Sequence, residues 1–159
     1  MIGYMNVEEQ VDVDFIRARR RAFLRRARAR LRNDVRSSSM PSFEEVRKSL
    51  GAQGGIRAGR RVVRVEQIVG SVGRSSQFDS GFMPAKRSLE GRWKRVDRAF
   101  HLGMDLPPVV LHKIDDSYFV LDGNHRVSVA RFHGVEMIEA EVTIFRTRPS
   151  LGRPQPAAA

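Results

Sequence analysis

The sequence predicts an α+β fold: one small mixed sheet with packed helices, preceded by a basic helical arm. Three observations carry this. After about residue 60, short β-branched runs and helical patterns follow in the order strand, loop, helix, strand, strand, helix, strand. Nine arginines crowd between Asp14 and Arg32. A stretch with three glycines, Gly51-Ala52-Gln53-Gly54-Gly55, separates the two regions.

The arm comes first. Residues 1–13 read as an acidic, frayed start. Asp14 is the expected N-cap of a helix from Phe15 to about Asn33. Ile16, Phe23, Ala27 and Leu31 share one face, with Leu24 beside them, and arginines fill the remainder. That is a basic amphipathic helix whose narrow apolar stripe is expected to dock on another surface. Ser37-Ser38-Ser39-Met40-Pro41 breaks it. Ser42-Phe43-Glu44-Glu45 reads as a capping box opening a short helix over about 43–50, closed by Gly51. Gly51–Gly55 is expected to be a flexible linker. The domains are therefore placed at 1–55 (arm and linker), 56–147 (folded domain) and 148–159 (a tail with three prolines and three terminal alanines, expected to be disordered).

Within the domain, Arg61–Val65 is the first strand, leading through Ile68 into the loop Gly70-Ser71-Val72-Gly73-Arg74. Residues 75–86 read as loop. A helix is expected from Leu89 to Leu102, with Trp93, Val96 and Phe100 on one side and Gly103 as its stop. Pro107-Pro108 leads into strand Val109–Ile114, and the turn Asp115-Asp116-Ser117 makes a hairpin with strand Tyr118–Leu121. Asp122-Gly123-Asn124 then turns the chain into a helix over Arg126–His133, ended by Gly134, and a last strand runs from about Met137 to Phe145.

Composition bounds the function. The net charge is +11, and the stretch from Asp14 to Arg32 alone carries +8, from nine arginines and one acid. Such a local excess points to a polyanionic partner, nucleic acid or a nucleoprotein assembly, touched by Arg17, Arg19, Arg20, Arg21, Arg25, Arg26, Arg28, Arg30 and Arg32; the rival is a solvated basic helix. The absence of cysteine removes disulfides, zinc–thiolate sites and thiol nucleophiles. No apolar run is long enough for a membrane helix or a signal peptide, so a cytoplasmic protein without a membrane partner is expected. His101, His112 and His133 are scattered, and no metal site is expected.

The stretch Leu121-Asp122-Gly123-Asn124-His125-Arg126-Val127-Ser128-Val129-Ala130 carries the chemistry. It begins at a strand end and opens a helix, whose first N–H groups lack internal partners and carry the positive end of the helix dipole. That is an anion site. Gly123 lets the backbone approach a ligand, Arg126 offers a bidentate fork, and His125 donates a hydrogen bond and adds charge when protonated. Against this stand a structural Arg126 paired with Asp122, a structural histidine, and Asp122 fixing the turn.

Strand-Asp-Gly-x-His-Arg-helix, preceded by the hairpin and the Ile68–Arg74 loop, resembles the ParB/sulfiredoxin fold over about residues 60–145. The resemblance implies nucleotide binding at this turn by Ser71, Arg74, Gly123, Asn124, His125 and Arg126, with CTP, ATP or ADP and magnesium as the cofactors. Sulfiredoxins carry a catalytic cysteine where this chain has Asn124, which excludes that reductase activity. ParB proteins, which bind and hydrolyse CTP, share Gly123 and Arg126, and Arg74 corresponds to the arginine of their first nucleotide box. Relatives that phosphorylate free serine share Asp122, Gly123, His125 and Arg126. ParB proteins continue into a helix-turn-helix domain; this sequence ends where that domain would begin. The expectation is a nucleotide-binding regulatory or accessory protein whose basic arm contacts nucleic acid. The alternative is a serine-type small-molecule kinase or NTP hydrolase, with Glu66, Asp122 and His125 as catalytic candidates and Asp79 competing with Glu66 as the base. A homodimer is left open.

Overall fold

The computed structural model describes residues 5–148; most of the tail expected to be disordered lies outside the described residues. A five-stranded sheet forms the centre, in the order β1-β5-β3-β4-β2. The strands are β1 (Gln53–Arg64), β2 (Ile68–Ser71), β3 (Val109–Ile114), β4 (Ser117–Asp122) and β5 (Met137–Arg146). β1 pairs with β5 and β3 with β4 antiparallel, while β3–β5 and β2–β4 are parallel. The sheet is mixed, as expected.

Side chains alternate across it, as a pleated strand requires. Val109, Leu111, Tyr118, Val120, Ala140 and Val142 face one side and form the main core with residues of three helices: α1 (Val7–Leu31), α3 (Glu90–His101) and α4 (Asn124–Phe132). Ile114 and Phe119 face the other side and pack with Phe43 of α2 (Phe43–Leu50). Phe43 sits edge-on to Phe119 and Phe145, with ring centroids at 5.6 and 5.1 Å. α4 follows Gly123 and lies on the main-core face through Val127 and Val129.

Several expectations change. The first helix starts at Val7, not Phe15, because Asn6 and Glu9 form the capping box: Glu9 N–H donates to Asn6 Oδ1 at 2.8 Å, and Asn6 N–H donates to Glu9 at 3.3 Å. Asp14 is buried inside that helix. The stripe Ile16, Phe23, Leu31 faces solvent, at 66, 68 and 88% exposure. The buried stripe is Val11, Phe15, Ala18, Ala22 and Ala29, so the arm docks on its own domain, with Phe15 against Trp93 at 5.7 Å. Ser42 precedes α2 without a side-chain cap. Gly51 ends α2 in the left-handed region (φ 61°). Gln53, Gly54 and Gly55, read as linker, begin β1, because the sheet extends that strand by pairing Gln53–Arg64 along β5.

Candidate anion-binding cleft

β4 ends at Asp122, and the next residue makes the turn. Gly123 has φ 105°, a conformation that favours glycine, and a Cβ there would lie 2.7 Å from Val109 Cγ1. The first bond of the α4 ladder runs from Val127 N–H to Gly123 O at 3.0 Å. The N–H groups of Asn124, His125 and Arg126 therefore precede the ladder. They open on a cleft of ≈ 360 Å³ whose lining includes Arg74, Arg92, Arg95 and Arg126 with Asp122 as its carboxylate. Four arginines against one acid leave the lining at +3.

The arginines differ in what they already hold. Arg126 donates from Nη1 to the carbonyls of Pro107 (2.6 Å) and Pro108 (3.3 Å), and from Nη2 to Asp122 at 3.1 Å. Its side chain is only 13% exposed. Three of its five N–H donors are thus committed to the protein, and two remain. The surface pairing with Asp122 exists, and Arg126 also ties the loop before β3 to α4. Arg74, Arg92 and Arg95 are exposed, and among the described residues none of them pairs with a carboxylate.

Two further polar groups converge there. Asn124 is buried, and His125 is half-buried with its ring edge-on to Phe78 at 5.2 Å. Among the described residues, nothing bonds to Asn124 Oδ1 or His125 Nδ1, although both atoms are buried. Burial first, and then the charges of Arg92 and Arg74, push the His125 imidazole down from 6.5 to about 4. It is neutral near pH 7, so the added charge expected of it is absent there.

The other candidates fall elsewhere. Ser71 is fully buried; its hydroxyl donates to Val120 O at 3.3 Å and accepts from Arg74 N–H at 3.1 Å. It positions Arg74 rather than facing the cleft. Glu66 pairs with Arg64 at 3.0 Å and lines a separate depression with Arg131 and Glu136, at the C-terminal end of α4. The structure does not bring Glu66 to Asp122 and His125. Asp79 is buried and accepts from Gly81 and Met83 N–H, both at 2.9 Å, and from Arg25; it organises its loop. In the arm, Arg19 donates to Pro84 O, Arg21 to Phe132 O, and Arg25 to Asp79, so these three help dock the helix. Arg17, Arg20, Arg26, Arg28, Arg30 and Arg32 are exposed.

The sequence reading missed Arg92 and Arg95. The signal was present: they stand three apart on a helix, and neither has an acid three or four residues away, whereas Lys94 has Glu90 at i−4. It also separated histidines that the fold joins. His101 and His133 meet beside Asp14 and Asp97, all four within 4.8 Å through their polar atoms. Three helices supply them, so linear spacing hides the cluster, apart from the i, i+4 pair Asp97–His101.

A plant sulfiredoxin is similar in shape. The solved structure from Arabidopsis thaliana shares 15% identity, covers 55% of this chain and 86% of its own, and superposes with a TM-score of 0.39. No family model matches the chain, and no curated protein does. Among the described residues no helix is long and apolar enough to cross a membrane.

Proposed function

We propose that the cleft at the start of α4 binds the phosphates of a nucleoside di- or triphosphate, CTP, ATP or ADP with magnesium, and that the protein is a ParB-like regulatory or accessory module. One observation carries this: Arg74, Arg92 and Arg95 converge without carboxylate partners on the open end of a helix. Guanidinium groups gathered without counter-charges repel each other; the lowering of His125 comes first from burial and only secondarily from Arg92 and Arg74. A bound polyphosphate relieves that repulsion. Asn124 Oδ1, buried beside the cleft and without a donor among the described residues, adds an unmet acceptor there. The exposed arginines of α1 contact nucleic acid in this reading.

Catalysis is the weaker half. With Glu66 at the far end of α4, Asp122 is the carboxylate at the cleft, and it is paired with Arg126. Calorimetry of the full chain with CTP, ATP, ADP and GTP in magnesium, followed by product analysis, separates the readings. One nucleotide bound per chain without product is expected. Turnover moves the protein to the phosphotransferase or hydrolase class, and no binding at millimolar nucleotide removes the assignment.

A further inference from the structure

We propose that Asp14, Asp97, His101 and His133 form a four-ligand site for a divalent transition-metal cation, zinc by its ligand chemistry, which pins the arginine-rich helix α1 to α3 and α4. Asp14 comes from α1, Asp97 and His101 from successive turns of α3, and His133 from the C-terminal cap of α4. Both imidazoles present Nε2. His101 Nε2 lies 2.8 Å from Asp14 Oδ2 and 3.6 Å from Asp97 Oδ2. His133 Nε2 lies 2.6 Å from Asp97 Oδ1 and 3.9 Å from Asp14 Oδ2. A tetrahedron with bonds of about 2.0–2.1 Å has edges of roughly 3.3–3.5 Å. The four separations straddle that value, so small side-chain rotations suffice.

Charge and burial point the same way. Asp14 is 2% and Asp97 0% exposed, and two carboxylates sealed beside each other need compensation. An imidazole ligates a metal in its neutral form, so a bound dication balances both carboxylates. Among the described residues nothing donates a hydrogen bond to Asp97 Oδ2, although it is fully buried and aimed into the cluster. A second layer holds the ligands in place. Gln10 donates to Asp14 Oδ1 at 2.8 Å, which leaves Oδ2 facing the histidines. The His133 ring stacks on Phe100 at 4.1 Å and 12°. Such outer contacts orient metal ligands. Two nitrogens and two oxygens without thiolate suit zinc better than magnesium or calcium, which prefer all-oxygen sets. With four protein ligands the site is structural. Placed where three helices meet, the ion fastens the one that carries the exposed arginines.

The test uses the full chain, free of any affinity tag and stripped with a chelator, titrated with zinc chloride. One zinc per chain and a higher Tm are expected. Losing an outer-shell contact typically costs about 10–100-fold in metal affinity, so losing a ligand in His101→Gln or Asp97→Asn weakens binding at least about tenfold. His112→Gln, outside the cluster, leaves binding unchanged. On the wild-type chain, cobalt(II) gives the intense visible absorption of a tetrahedral site, and X-ray absorption counts two imidazoles on zinc; these readouts stand even where a variant fails to fold. A folded chain with no saturable zinc binding, a His101→Gln variant with wild-type affinity, or a weak octahedral cobalt spectrum overturns the proposal. The cluster is then a metal-free set of histidine–carboxylate hydrogen bonds.

Discussion

His125 is where burial and the positive field of the cleft act on one imidazole. In the unfolded chain it titrates near 6.5, and in the folded protein near 4. Between these values the unfolded chain holds a proton that the folded chain lacks, so acid favours unfolding. The contribution is fully present above pH 6.5 and is lost as pH falls through about 4. His125→Gln should flatten this part of the Tm-against-pH profile relative to wild type; parallel profiles for the two proteins would place the imidazole in solvent instead. Gly123 is the residue most legible in advance, since a strand-to-helix turn needs its conformation. The reason found is narrower than close approach to a ligand: Val109 leaves no room for a Cβ. Arg126 was legible as a residue of the strand-to-helix turn, but its ties to Pro107 and Pro108 were not, because they span 19 and 18 residues.

At the scale of elements, the first helix shows how an apolar pattern misleads. Its large residues Ile16, Phe23 and Leu31 define a stripe by eye, yet the buried face is mostly alanine. Ala18 and Ala22 let α1 approach the domain closely while Phe15 reaches Trp93. A reading weighted by side-chain size ranks small buried positions last. Charged neighbours finish the docking: Arg98 pairs with Glu8 at 2.6 Å and Lys94 with Asp12 at 2.8 Å. The two phases make opposite predictions. Phe15→Ala should cost about 3–5 kcal/mol in urea denaturation, whereas Ile16→Ala should stay within about 0.5 kcal/mol. A larger loss in Ile16→Ala than in Phe15→Ala would restore the expected phase. For the same reason, deleting residues 1–35 removes part of the core and does not isolate the arm's charge. The hairpin and α4 needed no such correction, because their signals are local: a polar turn between β-branched runs, and a glycine before an apolar helix.

Across the whole molecule, α4 joins two polar centres. Its N-terminus opens on the arginine cleft, and its C-terminal cap carries His133 into the Asp14–Asp97–His101 cluster. Nine residues span about 13 Å of helix, so the centres are separate. Strand pairing could be anticipated only for the hairpin; β1 with β5 and β2 with β4 join distant segments, and no local pattern encodes them. The same holds for the cleft: Arg74 from the loop after β2, Arg92 from α3 and Arg126 from α4 are brought together by tertiary packing. Arg92 and Arg95 give the cleanest test of the central claim, because both are exposed and, among the described residues, neither pairs with a carboxylate. Charge-assisted hydrogen bonds contribute roughly 1.5–3 kcal/mol each, and 1.4 kcal/mol is about tenfold in affinity. The measurement is calorimetric affinity of the Arg92→Ala/Arg95→Ala double variant for the nucleoside triphosphate that wild type binds best, with Tm recorded on the same samples. The account predicts at least about tenfold weaker binding with a Tm no lower than wild type; wild-type affinity in the double variant would contradict it.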